Sequence, residues 1–332
     1  MNMKNRNWLL LILPLLMLAS PIFAGTIDHS KVMSANECGE CHKDELDVWR
    51  KTKHYKTFNE LARRDNAKKI AKNMGVKRIK KDSTCMNCHF LNKEEAGELT
   101  PISGIACESC HTPAKDWIKL HNDFGGKDVK KENETPEHKQ QRLNAISQTS
   151  MIRPRDIYNL AENCYQCHLV PNEKLVNTGG HKAGSRFELV AYSQGDNRHN
   201  FARSATGDEN IESSIERRRV LYIVGQGLEL EHSLRGLSKA TEKAKFAITM
   251  AKRVKIASKR LKIVNAKLNL ADITQMLAAA SSAKLKLNNE VSLAAAADKV
   301  AAINKIFAKA YDGSQFAAMD ALLPAPADYK HQ

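Results

Sequence analysis

Hydrophobic and polar positions divide the chain into stretches of different character. Residues 8–19 form an apolar run of 12, interrupted by Pro14. After it regular periodicity is sparse, and the clearest helical stripe sets Leu46, Trp49, His54, Phe58 and Leu61 close to one face. Beyond residue 208 the pattern changes: no proline occurs from 172 to 323, and Ala, Leu, Ile and Lys dominate. Ile211, Ile215, Leu221 and Val224 fit one amphipathic stretch. Residues 239–268 and 271–311 fit others, with breaks near Asn269 and Asn288-Asn289. Two to four helices in a hairpin or bundle are expected there.

The N-terminal run reads as a secretory signal. Lys4 and Arg6 precede it, and Ile22-Phe23-Ala24 offers a small-residue cleavage site before Gly25. A spanning helix needs roughly 20 apolar residues, more than this run supplies. The expected organisation is a signal peptide at 1–24, a first domain at 25–205, a helical domain at 206–323 and a tail at 324–332. The mature chain would be exported, with cleavage near Ala24.

With 42% hydrophobic and 27% charged residues, the 332-residue chain is neither disordered nor polytopic. Lys and Arg total 52 against 37 Asp and Glu, a formal charge of +15. So large an excess suggests nucleic acid, an anionic surface, an acidic protein or an anionic cofactor outside the sum.

The cysteines decide between these. All 8 belong to C-x-x-C-H pentapeptides: Cys38 and Cys41 before His42, Cys85 and Cys88 before His89, Cys107 and Cys110 before His111, Cys164 and Cys167 before His168. None is left for disulfides, and a chain this long needs no staples. Four pairs could build two Cys₄ zinc sites, but zinc does not require a His directly after each pair. Covalent c-type haem does, since two thiols add to the vinyl groups and the adjacent His becomes the proximal iron ligand. Four haems are expected, with roughly eight propionate charges that offset the basic excess. Nucleic acid thereby loses its support. Four macrocycles sharing about 160 residues must lie near one another, and would supply much of the core.

A sixth ligand on each iron separates a carrier from a catalyst. His54 projects from the apolar stripe, and His121 lies ten residues after His111, just before the turn signal Gly125-Gly126. His181 sits in Gly179-Gly180-His181-Lys182-Ala183-Gly184-Ser185, where glycines let backbone approach a flat ring. His199 follows in Asp196-Asn197-Arg198-His199-Asn200. These four are the distal candidates. His29, His138, His232 and His331 are expected in solvent.

The ordered set Cys38 to His42, Trp49-x-x-Thr52-x-His54, Cys85 to His89, Cys107-Glu108-Ser109-Cys110-His111, His121 and Cys164 to His168 resembles the tetrahaem cytochrome c-554 family over about residues 35–170. The resemblance implies a periplasmic, mostly helical electron-transfer protein with haems stacked in pairs. The family's namesake accepts electrons from hydroxylamine oxidoreductase. The resemblance also implies distal roles for His54 and His121, and one five-coordinate haem at Cys85, Cys88 and His89. If His181 and His199 both ligate, that open site disappears.

The expected fold is therefore mostly α: a multihaem cytochrome c fold with little regular secondary structure around four stacked haems, then a helical hairpin or bundle that the namesake lacks. The expected function is electron transfer between redox partners in respiration. The alternative is a haem enzyme acting on a small nitrogen or sulfur oxyanion, of nitrite, hydroxylamine, nitric oxide or tetrathionate type, at a five-coordinate iron. Between Arg235 and Lys267 eleven basic residues face Glu242 alone. That stretch reads as a solvated helix face or as a docking surface for an acidic periplasmic or membrane-bound redox protein, or for anionic lipid. The C-terminal helices could also pair two copies of the chain.

Overall fold

The computed structural model describes residues 27–330, so the signal-peptide expectation and His331 lie outside the described residues. The described residues are 62% helical and 4% strand, a mostly α protein with a helical C-terminal region. Short helices fill the first half: α1 (Ala35–Gly39), α2 (Lys43–Lys51), α3 (Lys53–Glu60), α4 (Asp65–Asn73) and α5 (Ser83–His89). A hairpin of β1 (Leu91–Glu95) and β2 (Glu98–Ser103) follows, then α6 (Cys107–His111), α7 (Ile118–His121), α8 (Pro136–Ser147), α9 (Ile157–His168), α10 (Glu173–Asn177) and α11 (Leu189–Ser193).

The expected stripe from Leu46 to Leu61 is two helices, not one. Thr52 is extended (φ −77°, ψ 160°), and its hydroxyl accepts from the Tyr55 N–H, which caps α3. A cap of this kind ends one helix and starts the next in a single residue. The β-hairpin had no counterpart in the sequence reading. Its turn holds Ala96 and Gly97 at φ 52° and 78°, the left-handed pair that two-residue hairpins require. Alanine seldom takes that conformation, so the turn carried no sequence mark.

The second half is a packed bundle of α12 (Ile215–Ser238), α13 (Lys245–Leu268), α14 (Ala271–Ser281) and α15 (Glu290–Ala310). Asn269 ends α13 in the left-handed region, and Asn288 (φ 55°) precedes the start of α15, so both expected breaks fall at asparagine. The first stretch differs from expectation. α12 is buried around its whole circumference from Arg219 to Glu231, because α13, α15 and α9 all pack on it. One apolar core runs from Ile157 to Tyr329 and so reaches back across residue 205 to α9. The C-terminal tail joins it: Tyr329 is buried, and the Lys330 N–H donates to the Ala191 carbonyl.

Close approach to α12 depends on glycine. A Cβ at Gly227 would stand 2.5 Å from Asn304 Nδ2, and Asn304, fully buried, donates to the Val224 carbonyl at 3.0 Å. Gly227→Val is expected to separate α12 from α15 and to cost about 1–3 kcal/mol, the usual range for overpacking. A thermal melt of the bundle checks this, and an unchanged midpoint would contradict the packing.

Candidate haem centres

Three of the four C-x-x-C-H pentapeptides end a helix, so His89, His111 and His168 leave a helix C-terminus beside their own pair of thiols, whereas in the first motif α1 ends at Gly39 and His42 caps the start of α2. All eight cysteines are free, and none belongs to a metal-sized cluster of His, Cys, Asp or Glu among the described residues. The thiols of different motifs nevertheless meet. Cys38 lies against Cys107, and that hydrogen bond, ahead of burial, raises the Cys38 pKa. Cys167 likewise donates to Cys88. Burial, then the nearby Cys110, raises the Cys164 pKa. The attachment points thus form one unbroken succession: first motif, third, fourth, second.

The histidines are paired across the fold. His42 faces His121 with ring centres 6.3 Å apart, and His54 faces His168 at 6.3 Å. His89 faces His181 at 6.4 Å, and His111 faces His199 at 6.4 Å. In every pair one ring belongs to a C-x-x-C-H motif and the other is one of the four distal candidates. Metal–imidazole bonds of about 2.0 Å on each side, added to the half-width of each ring, sum to about 6 Å. The spacing therefore fits one iron between each two rings.

Hydrogen bonds hold many of these rings in the tautomer that ligation needs. A carbonyl can only accept, so Nδ1 carries the proton and Nε2 is left bare in His111 (to Ile152, 2.9 Å), His121 (to Ile118, 2.6 Å), His181 (to Lys182, 2.8 Å) and His199 (to Asn197, 2.7 Å). Burial pulls the pKa of His54, His111 and His121 down. His89 and His168 fall to about 4, again chiefly through burial. Neutral imidazole is the form that binds a metal.

The supporting contacts of several residues could not be read from the sequence. Glu108, inside the third motif, is 1% exposed and accepts from the Met33 and Ala114 N–H groups, which ties the N-terminal segment to that motif. Trp49 donates from Nε1 to the Ile105 carbonyl at 2.7 Å. Arg142 donates to the His121 carbonyl while it pairs with Glu134. His29 and His138 are half-buried and bonded to the Asn92 carbonyl and the Glu134 carboxylate. The expectation of solvent for His232 is overturned. Its Nε2 is buried, its ring stacks on Tyr165 at 6.3 Å, and it adjoins Glu162 and Glu231, because α12 lies inside the bundle where the sequence suggested a surface helix.

Vicinal thiols backed by histidine, facing a second histidine across the fold, define a c-type cytochrome with covalently bound haem. Residues 37–112 match the family described as cytochrome c554 and c-prime. Cytochrome c-554 of Nitrosomonas europaea is 27% identical over 143 residues, which are 40% of this chain and 55% of that protein. Residues 37–112, which hold the first three motifs, are thus similar to the cytochrome c-554 family, and the chain spans about half the length of the curated relative it matches. No solved structure matches the chain.

Proposed function

We propose that the protein is a periplasmic tetrahaem electron carrier in which every iron is held by two histidines: His42 with His121, His89 with His181, His111 with His199, and His168 with His54. The observation that carries this reading is the common 6.3–6.4 Å spacing of the four ring pairs. A bis-histidine haem supplies reversible one-electron chemistry at low potential and offers no vacant position to a substrate. His181 fills the place that the resemblance leaves open at Cys85, Cys88 and His89, which favours a carrier over an enzyme for nitrogen or sulfur oxyanions. The succession of neighbouring thiols favours keeping all four sites within one cluster, the arrangement that holding and passing up to four electrons requires.

Two surfaces suit a redox partner. Cys41 is exposed and the His42 side chain is 51% exposed, so the first site reaches the surface. The outer face of α13 presents Lys252, Lys255, Lys259 and Lys262 beside the exposed Ile248, Ile256 and Ile263. An acidic periplasmic or membrane-bound redox protein complements that face. Charge reversal at Lys252, Lys255 and Lys259 is expected to slow reduction by such a partner about ten-fold at low salt. Stopped-flow rates across a salt series check this, and rates insensitive to both changes would leave the lysines as a solvated face. Apolar faces of the C-terminal helices are largely met within one chain, so pairing of two copies is not needed to cover them.

Counting haems and electrons on the purified holoprotein tests the whole reading. Four haems and four electrons per chain, with nitrite, hydroxylamine and nitric oxide left unchanged, are expected. Turnover of any of these at a high-spin iron would replace the carrier with an enzyme.

A further inference from the structure

We propose that Arg253, carried by α13, is a positioning residue for His168, and that through it the C-terminal helices set the reduction potential of the fourth haem site. This rests on the reading of Cys164, Cys167 and His168 as a haem site. Both terminal guanidinium nitrogens of Arg253 donate to the Ser185 carbonyl, at 2.9 and 3.0 Å. Ser185 in turn grips His168 twice: its N–H donates to the His168 carbonyl at 2.9 Å, and its hydroxyl lies 3.0 Å from His168 Nδ1. Arg253 thus reaches the proximal ligand through one intervening residue.

The contact is tightly fitted. Gly184 sits at φ +84°, and a Cβ there would stand 2.8 Å from the His168 carbonyl oxygen and 3.2 Å from Arg253 Nη1, so only glycine lets the loop pass between them. Phe187 stacks on the His168 ring with centres 4.6 Å apart. Glu229 of α12 holds the far side of the guanidinium at 2.8 Å, and both charged side chains are nearly buried, at 13% and 10% exposed. Arg253 therefore points inward, unlike Lys252 and Lys255 beside it on the same helix, which are exposed.

Two physical effects follow. A hydrogen bond at Nδ1 fixes the plane of an imidazole and raises its strength as a ligand. A buried cation close to the ring favours the less positive, reduced iron, because little water screens it. Removal of the cation should lower the potential of one site. Removal of the Nδ1 acceptor, which weakens His168 as a donor to ferric iron, should raise it.

The experiment is a spectroelectrochemical titration with parallel EPR on holoprotein carrying Arg253→Gln, Arg253→Lys, Ser185→Ala or, as the matched control, Lys252→Gln. Expected in Arg253→Gln is a fall of about ten-fold in the reduced-to-oxidised ratio of a single component at fixed potential, which is 59 mV for a one-electron couple. Arg253→Lys should keep most of that potential while it shifts the EPR line of the same component, since one ammonium cannot replace a two-armed grip. Ser185→Ala should move the potential the other way, and it keeps the test open should Arg253→Gln fail to fold. Unchanged potentials and lines in the Arg253 and Ser185 variants, with four haems present, would overturn the proposal. Absence of haem from the peptide containing Cys164 and Cys167 would instead overturn the reading on which it rests.

Discussion

Under the proposed ligation, replacement of His181 by alanine is expected to open one of four closed irons. In the parent holoprotein, fully oxidised, low-temperature EPR should show low-spin haem only, and added nitric oxide or nitrite should change nothing. His181→Ala removes the ring 6.4 Å from His89 and leaves a position that water or an added ligand can take. One haem in four then becomes high-spin and binds nitric oxide, while the others keep their spectra. The low-spin lines carry a second signature. His42 and His121 are nearly parallel, at 22°, whereas His111 and His199 cross at 87°. Near-parallel imidazoles give an ordinary rhombic spectrum, and crossed ones give a strongly anisotropic line with a large maximal g value. Both line types should therefore be present in one sample. A high-spin signal in the parent protein would sink the closed-site assignment.

The chemistry of the sites was legible because it is local. Two thiols and a histidine within five residues point to covalent haem wherever the chain goes, whereas the glycines expected to let backbone approach a flat ring make room for protein instead, Gly179 for the Leu175 carbonyl and Gly184 for the His168 carbonyl. Helix ends at Asn269 and Asn288-Asn289 could be read for the same reason, since a left-handed residue leaves its type in the sequence. Partnership across the fold could not. His54 is 114 positions from His168 and His42 is 79 from His121, and no periodicity reports such distances. Burial on all sides of α12 was hidden too, because Arg219, Glu229, Glu231 and His232 are residue types that usually face solvent. In the fold Asp320 pairs with Arg219, Arg253 with Glu229, and Arg235 and the Tyr158 hydroxyl with Glu231, so these groups are buried with partners. Arg253 itself read as one more surface cation in a basic run, and only the position of Ser185 shows otherwise.

Gly104→Ala is expected to damage the fourth site although Gly104 carries no chemistry and precedes the third motif. A methyl group there would overlap the His54 carbonyl oxygen and stand 3.0 Å from the Tyr55 carbonyl. The segment that bears it has no room to retreat. The Leu91 N–H donates to the Gly104 carbonyl across the β-hairpin, and Trp49 holds the Ile105 carbonyl from the other side. Displacement must therefore fall on the start of α3, which carries His54, and His54 is the ring opposite His168. Overpacking of this kind costs about 1–3 kcal/mol, and a shift well under an ångström is enough to weaken an iron–imidazole bond. Part of the fourth site should become high-spin with His54 still in the chain, the thermal midpoint should fall, and His54→Ala should give the same high-spin line at full intensity. A Gly104→Ala protein with four low-spin haems and the parent midpoint would mean that α3 yields without loss of its histidine, and the rigidity inferred for this corner would be wrong. Spacing thus reaches the metal from a residue that never touches it. The hairpin and Trp49 fix where Gly104 stands, Gly104 fixes how near His54 can come, and that nearness decides whether the iron is closed.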